Sequence, residues 1–311
     1  MNKTQDNGGF YKKTIIDQLV KSILFGATIL CASIIIFIIL FILIKGIKPF
    51  ISQYEINGIL YRVDLWKFLT GSVWYTAPNM YGVGFVIINT FYIVILALLI
   101  AVPISVLTAL FTSKMAPKMV GKAISSVIEL LAAIPSIIYG LFGMGVITNF
   151  VKKISFFFGY QSAGGISTLA TIIVLAIMII PTITMVSTAS INSVKRNLVD
   201  ASLALGASKT QTNFKVVLSS ARSGIFSGII LGVGRALGEA TAVSMVAGNS
   251  GSGPTFNLFD TTRTLTSTML LGLKETTGLD YDIRFSVGIV LIMMILVMNG
   301  LLHRIKKRLA K

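Results

Sequence analysis

Charged residues in this chain are bunched, and the intervals between the bunches are long and apolar. Lys21 and Lys45 enclose 23 uncharged residues, among them an unbroken apolar run over 34–44. No charge falls between Lys67 and Lys114, where the apolar part covers roughly Gly84 to Thr112. Glu129 and Lys152 enclose 22 residues, and Lys153 and Lys195 bracket another apolar span at about 165–190. Arg222 to Asp260 is apolar apart from Arg235 and Glu239, and Arg284 and His303 enclose the last 18 residues. An α-helix needs about 20 apolar residues to cross roughly 30 Å of hydrocarbon. The pattern therefore predicts an all-α, polytopic membrane protein with six transmembrane helices. The first apolar stretch is too long for the h-region of a signal peptide and no small-residue cleavage site follows it, so an uncleaved helix is expected.

This reading divides the chain into an N-terminal segment (1–20), a first helix (21–45), an outer segment (46–80), a five-helix unit (81–303) and a basic tail (304–311). Pro103, Pro135 and Pro181 fall inside spans two, three and four, where neighbouring helices can satisfy the freed carbonyls. Trp66, Trp74, Tyr75 and Tyr81 flank the second span and are expected at the membrane interface.

Composition agrees: of 311 residues 54% are hydrophobic and 12% charged, against about 25% charged in a soluble domain. The net charge of +16 would suit a polyanion binder, but its distribution says otherwise. The N-terminus, the 113–123 loop, the 191–222 loop and the C-terminus hold 17 Lys/Arg, the opposite segments 9. The positive-inside rule places the richer side, with both termini, in the cytoplasm. One cysteine, Cys31, and one histidine, His303, exclude disulfide frameworks and Cys/His metal sites. No paired-His motif or nucleophile–base arrangement supports an intramembrane enzyme.

The 191–222 loop has a pattern of its own. Leu198, Ala201 and Leu205 share a helical face, Gly206 is placed to stop that helix, and Ser208 to cap a second short one. Asp200-Ala201-Ser202, then Gly206, then Val216-x-Leu218 resembles the Glu-Ala-Ala coupling motif of ABC importer permeases, with Asp200 in place of Glu and Ser219 in place of the final Pro. The resemblance implies that Asp200, Ala201, Ser202, Gly206 and Leu218 seat in a cleft of a cytoplasmic ATPase. The chain has no Gly-x4-Gly-Lys-Ser/Thr phosphate loop, so ATP and its Mg are expected on that partner and no cofactor on this chain.

In the fifth span Gly224, Gly228 and Gly232 recur every four residues, and Gly234 and Gly238 repeat the interval on another face. Gly228, Gly232, Gly234 and Gly238 are expected to let helices approach closely. Arg235 and Glu239, read as i and i+4 of one helix, lie about 20–25 Å beyond Arg222 at 1.5 Å per residue. A charge at such depth costs about 3 to over 10 kcal/mol. Two roles suit the pair: mutual neutralisation that locks packing, or handling of an anion. The Arg-before-Glu order is the weaker helix pairing, which favours the second. Polar residues Asn89, Thr90, Ser136, Thr182 and Thr184 can line a path or simply bond between helices.

Gly234-Arg235-Ala236-Leu237-Gly238-Glu239, with Ala242-Val243, Gly248-Asn249 and Arg263 to Thr268, is similar to the PstC-type permeases of phosphate ABC importers over about residues 80–300. This likeness implies a type I importer fold in a bacterial inner membrane. It also implies a PstA-type sister permease, two ATP-binding subunits and an extracytoplasmic phosphate-binding protein, with Arg235 and Glu239 in the substrate path. Another oxyanion (molybdate, sulfate, phosphonate) or a proton-coupled secondary carrier with Glu239 as proton site are the alternatives.

Overall fold

The computed structural model describes residues 7–310 apart from 57 and 78, with side chains described for 17–308. Residues 1–6 of the predicted N-terminal segment and residue 311 of the predicted tail lie outside the described residues. Thirteen α-helices are present among them: α1 (Asn7–Ile51), α2 (Leu65–Thr70), α3 (Gly84–Leu110), α4 (Lys118–Ala133), α5 (Ser136–Phe142), α6 (Thr148–Phe157), α7 (Thr168–Asn192), α8 (Arg196–Ala204), α9 (Lys209–Gln211), α10 (Leu218–Gly238), α11 (Thr241–Val246), α12 (Leu265–Leu270) and α13 (Gly278–Ala310). Six helical stretches are long and apolar enough to cross a membrane: Asp17–Ile51, Gly84–Met115, Ser136–Phe157, Thr168–Asn192, Lys209–Gly238 and Gly278–Arg308.

Three boundaries differ from expectation, each for a backbone reason. Pro135 does not sit inside a span. It breaks the chain between α4 and α5, with Ile134 extended (ψ 127°), because a proline ring disfavours the helical region for the residue before it. Glu129 thus belongs to a separate helix, and the third span begins at Ser136. Pro103 and Pro181, in contrast, are carried inside continuous helices. Ser105 of α3 donates across to the Ile180 carbonyl at 3.2 Å, one residue before Pro181. The second difference is at Lys209: the helix capped by Ser208 is not a short isolated one. It runs through a π-helical stretch, Thr212–Val217, into α10, so the fifth span starts 13 residues earlier than Arg222. The third is at its far end, where α10 stops at Gly238.

Helix α7 is the centre of the bundle. Ile172, Leu175, Met178, Ile179 and Ile183 of α7 are buried against Ile93, Ala97 and Ala101 of α3 and Val233 and Leu237 of α10. In lipid, apolar side chains gain little from leaving the solvent, so close backbone approach and packing hold helices together. A Cβ on Gly232 would lie 2.7 Å from Ile183 Cγ1, and one on Gly228 3.2 Å from Val186 Cβ. Those two glycines do pack α10 on α7. Gly234 and Gly238 do not: a Cβ on either meets no described atom within 4 Å. The predicted packing role fails for this second pair within the chain, since their face of α10 points away from α7.

Helix α1 is peripheral. Its residues 18–40 are exposed along their whole length, and it joins the bundle only near its C-terminal end, on α13. There Ser286 Oγ donates to the Gly46 carbonyl at 2.6 Å, and Lys45 and Lys48 lie 3.5 and 3.3 Å from the buried Asp282 carboxylate.

The 46–80 segment forms a cap. It contains antiparallel ribbons β1 (Tyr54–Ile56) with β2 (Ile59–Tyr61) and β3 (Trp74–Tyr75) with β4 (Met80–Tyr81), separated by α2. Gly58 takes φ +78° at the first turn, a conformation that costs other residues a Cβ clash. Trp74 and Tyr81 are buried edge-to-face in a core that the cap shares with α3, α12 and α13, beside Phe68 and Phe85, whereas Trp66 is 74% exposed. The expected aromatic belt thus divides: hairpin pairing turns two of its members inward.

Candidate translocation path and coupling surface

The chain breaks at Glu239–Ala240. Glu239 is extended (φ −74°, ψ 115°), and α11 starts two residues later. Arg235 stands in the last turn of α10, where a cation complements the negative end of the helix. Its Nη1 donates to Thr182 Oγ1 of α7 at 2.8 Å. Glu239 faces the other way along the chain: its Oε1 accepts the Ala242 N–H at 2.9 Å, capping α11. The two are therefore not neighbours on one helix face, and the mutually neutralising pair does not form. Among the described residues, ion pairs within 4.0 Å are confined to Lys45 and Lys48 on Asp282. Arg235 is left with a neutral partner, a guanidinium still able to accept an anion.

Polar side chains collect beside this break. Thr266 Oγ1 donates to the Glu239 carbonyl at 2.6 Å and lies 3.1 Å from Thr264 Oγ1. Thr90 of α3 accepts the Leu265 N–H at 3.0 Å and donates to the Val86 carbonyl. Asn89 is 1% exposed, and neither its Oδ1 nor its Nδ2 has a partner among the described residues. Of the other predicted path residues, Thr184 spends its hydroxyl on the Ile180 carbonyl of its own helix, and Ser136 is half-buried at the start of α5.

Two arginines to which the sequence reading gave no individual role, Arg284 counted as outer-side charge and Arg263 also quoted within the permease-like segment, are built into the structure. Arg284 is 5% exposed and its Nη1 donates to the carbonyls of Thr268, at 2.9 Å, and Leu271, at the end of α12. Arg263 donates from Nε to Ser250 O and from Nη2 to Asn249 O, each at 2.7 Å. Burial, with a smaller push from the positive Arg284, lowers the Arg263 pKa to about 10, which leaves it charged at neutral pH. A sequence signal existed for both. Arg284 interrupts an apolar helix between Ile283 and Phe285, and Arg263 heads the hydroxyl-rich run Thr264, Thr266, Ser267, Thr268.

The helix–glycine–helix turn of the predicted coupling loop is present, but only part of it is presented outward. Helix α8 ends beside Gly206 at φ +85°, and Ser208 caps α9 in a reciprocal box with Gln211. Asp200, Ala201 and Gly206 are exposed, and Leu205 is 89% exposed. Ser202 turns inward, 2.9 Å from Thr212 Oγ1, which fastens α8 to the start of the fifth span. Leu218 is half-buried against the cluster of Ala109, Leu110, Ile191, Val217 and Ala221, so it supports this element from within rather than presenting a surface.

Residues 101–311 match the family described as "Binding-protein-dependent transport system inner membrane component". The chain belongs to that family. Among curated relatives, the probable ABC transporter permease protein YqgH of Bacillus subtilis is 35% identical over 83% of this chain and 80% of its own length. The phosphate transport system permease protein PstC of Pasteurella multocida is 33% identical over 79% and 81%. Among solved structures, a bacterial alginate ABC transporter in complex with an alginate pentasaccharide-bound periplasmic protein aligns over 97% of this chain and 98% of its own, with TM-score 0.65 and 19% identity. The MetNI methionine ABC transporter in an inward-facing conformation aligns over 74% and 95%, with TM-score 0.54. The chain is a non-enzymatic, multi-pass membrane permease of type I importer fold, and a stand-alone secondary carrier is not favoured.

Proposed function

We propose that this permease is the PstC-type subunit of an ATP-driven importer of inorganic phosphate, pairing with a PstA-type sister, two cytoplasmic ATP-binding subunits and an extracytoplasmic phosphate-binding protein. The observation that carries the anion reading is Arg235: a guanidinium within a transmembrane bundle, held by a threonine hydroxyl and not by a carboxylate. Relatives named as phosphate permeases, 30–36% identical, supply the cargo. Both termini and the α8–α9 turn face the cytoplasm, where the ATPases dock; ATP and Mg stay on those partners.

Transport proceeds by alternating access. Closure of the ATPase pair pulls on the exposed face of α8. Ser202, bonded to Thr212, passes the pull to the fifth span, which is one continuous helix from Lys209 to Gly238. Its far end carries Arg235 to the break at Glu239, so a tilt at the coupling turn moves the guanidinium directly. Arg235 meets the phosphate oxyanion in passing. Glu239, capping α11 nearby, keeps the local field from becoming a trap.

The test is uptake of radiolabelled phosphate by proteoliposomes holding the complete complex, with loaded binding protein and ATP. Arg235→Gln is expected to lower uptake at least about tenfold while the complex stays assembled; near-normal uptake sinks this role.

A further inference from the structure

Arg263 is a second guanidinium without a counter-ion. Both of its hydrogen bonds go to neutral backbone carbonyls, those of Ser250 and Asn249, and no carboxylate lies within 4.0 Å among the described residues. Its Nη1 makes no hydrogen bond among them. The neighbouring charge is Arg284, whose positive field adds to that of Arg263 instead of cancelling it. Arg263 is half-buried, and a partly desolvated cation held by neutral acceptors alone is under-compensated. A planar guanidinium fork matches an oxyanion, and charge-assisted bonds are about twice as strong as neutral ones.

Its place in the chain gives this a direction. Thr264 follows immediately, Thr264 Oγ1 lies 3.1 Å from Thr266 Oγ1, and Thr266 donates to the carbonyl of Glu239 at 2.6 Å. Both threonines are buried. From Thr264, the residue next to Arg263 in the chain, a short run of hydroxyls therefore leads to the Glu239 carbonyl at the helix break, one turn beyond Arg235. The Ser250 side of the clamp is also structural: Gly251 O accepts the Trp74 N–H at 2.7 Å, so the loop held by Arg263 is tied to the outer cap.

We propose that Arg263 is an outer receiving station for the transported oxyanion. The anion displaces the Ser250 and Asn249 carbonyls from the guanidinium, passes along the Thr264 and Thr266 hydroxyls, and is taken up by Arg235. The inference rests on the phosphate-permease reading and deepens it, giving the path an outer cationic site as well as an inner one.

The test uses the complete complex in proteoliposomes and reads inorganic phosphate moved per ATP hydrolysed, for wild type, Arg263→Gln and Arg263→Lys. Arg263→Gln is expected to assemble and to keep an ATPase stimulated by loaded binding protein, while phosphate moved per ATP falls about tenfold or more. Arg263→Lys, which keeps the charge without the fork, recovers part of the ratio. A wild-type ratio in Arg263→Gln overturns the proposal. So does an equal loss of assembly or ATPase stimulation in both variants, which marks Arg263 as a fastener of the loop. A wild-type complex that moves another oxyanion but not phosphate refutes the phosphate reading alone, and the ratio is then scored with that anion.

Discussion

Arg235→Gln can be worked through as two separate balances. On the folding side, the wild-type guanidinium has one side-chain bond among the described residues, to Thr182 Oγ1 at 2.8 Å. A hydrogen bond to a charged group is worth about 1.5–3 kcal/mol. Insertion scales put the cost of an arginine at a helix centre at about 2.5–3.5 kcal/mol. The two terms are of similar size and opposite sign, so neutralising the residue leaves the thermal midpoint and the assembly of the complex close to wild type. On the transport side nothing offsets the loss. One missing charge-assisted bond to a passing oxyanion, again about 1.5–3 kcal/mol, lowers uptake by roughly 10- to 150-fold. The assay is initial phosphate uptake in proteoliposomes, with midpoints measured on the purified complex. A double-mutant cycle with Glu239→Gln adds a check on geometry, because Gln retains an oxygen to cap Ala242. Residues that do not share an interaction give stability changes additive within about 0.5 kcal/mol. Uptake within twofold of wild type refutes the path role, and a stability coupling above about 1 kcal/mol refutes the separation of Arg235 from Glu239 by the helix break.

Four further outcomes are expected. Gly206→Val forces a β-branched residue to φ +85°, at a strain of about 1–2 kcal/mol or more, and should uncouple or release the ATPase while the membrane helices still fold, checked by co-purification and phosphate-stimulated ATP hydrolysis. Gly232→Ala, with its Cβ 2.7 Å from Ile183, should lower the folded yield of the subunit, whereas Gly234→Ala should not, as measured by size-exclusion profiles. In a Cys31→Ser background, cysteines at exposed Lys153 and Lys209 should react with impermeant reagents from opposite sides; same-side labelling refutes the orientation. Tyr54→Phe removes a 2.7 Å bond to Asp282, worth about 0.5–1.5 kcal/mol. Burial first, then Asp282, raise the Tyr54 pKa, so the phenol's contribution is complete below its ordinary value near 10 and lost only above it. The loss of thermal stability on mutation should accordingly be the same at pH 6 and pH 9.

The six spans and the coupling turn were legible because each depends on a local property. A span is a length of apolar sequence long enough for hydrocarbon. Gly206 and Ser208 act through their own backbone angle and side-chain bond, so their roles follow from residue type and spacing. The glycine stripe was half legible: spacing marks two small faces on α10, but only the position of α7 decides that Gly228 and Gly232 are covered and Gly234 and Gly238 are not. Trp74 and Tyr81 were misplaced for the same reason, since an aromatic next to a span can face lipid headgroups or a protein core, and the β3–β4 pairing together with the packing of the cap on α3, α12 and α13 decides it.

At the candidate site the division is sharpest. The presence of an arginine and a glutamate in an apolar span, and the anion chemistry that an arginine there implies, are properties of the sequence alone. Their relationship is not. A regular helix would make them neighbours at i and i+4, and the break at Glu239 instead gives each charge to a different helix end. Thr182 reaches Arg235 from 53 positions away, and Thr266 reaches Glu239 from 27. Contacts between parts of the chain so far apart are fixed by how the helices pack, α10 on α7 for the first and α12 beside α11 for the second. Periodicity records which face a residue occupies on its own helix, and carries nothing about what the next helix places opposite.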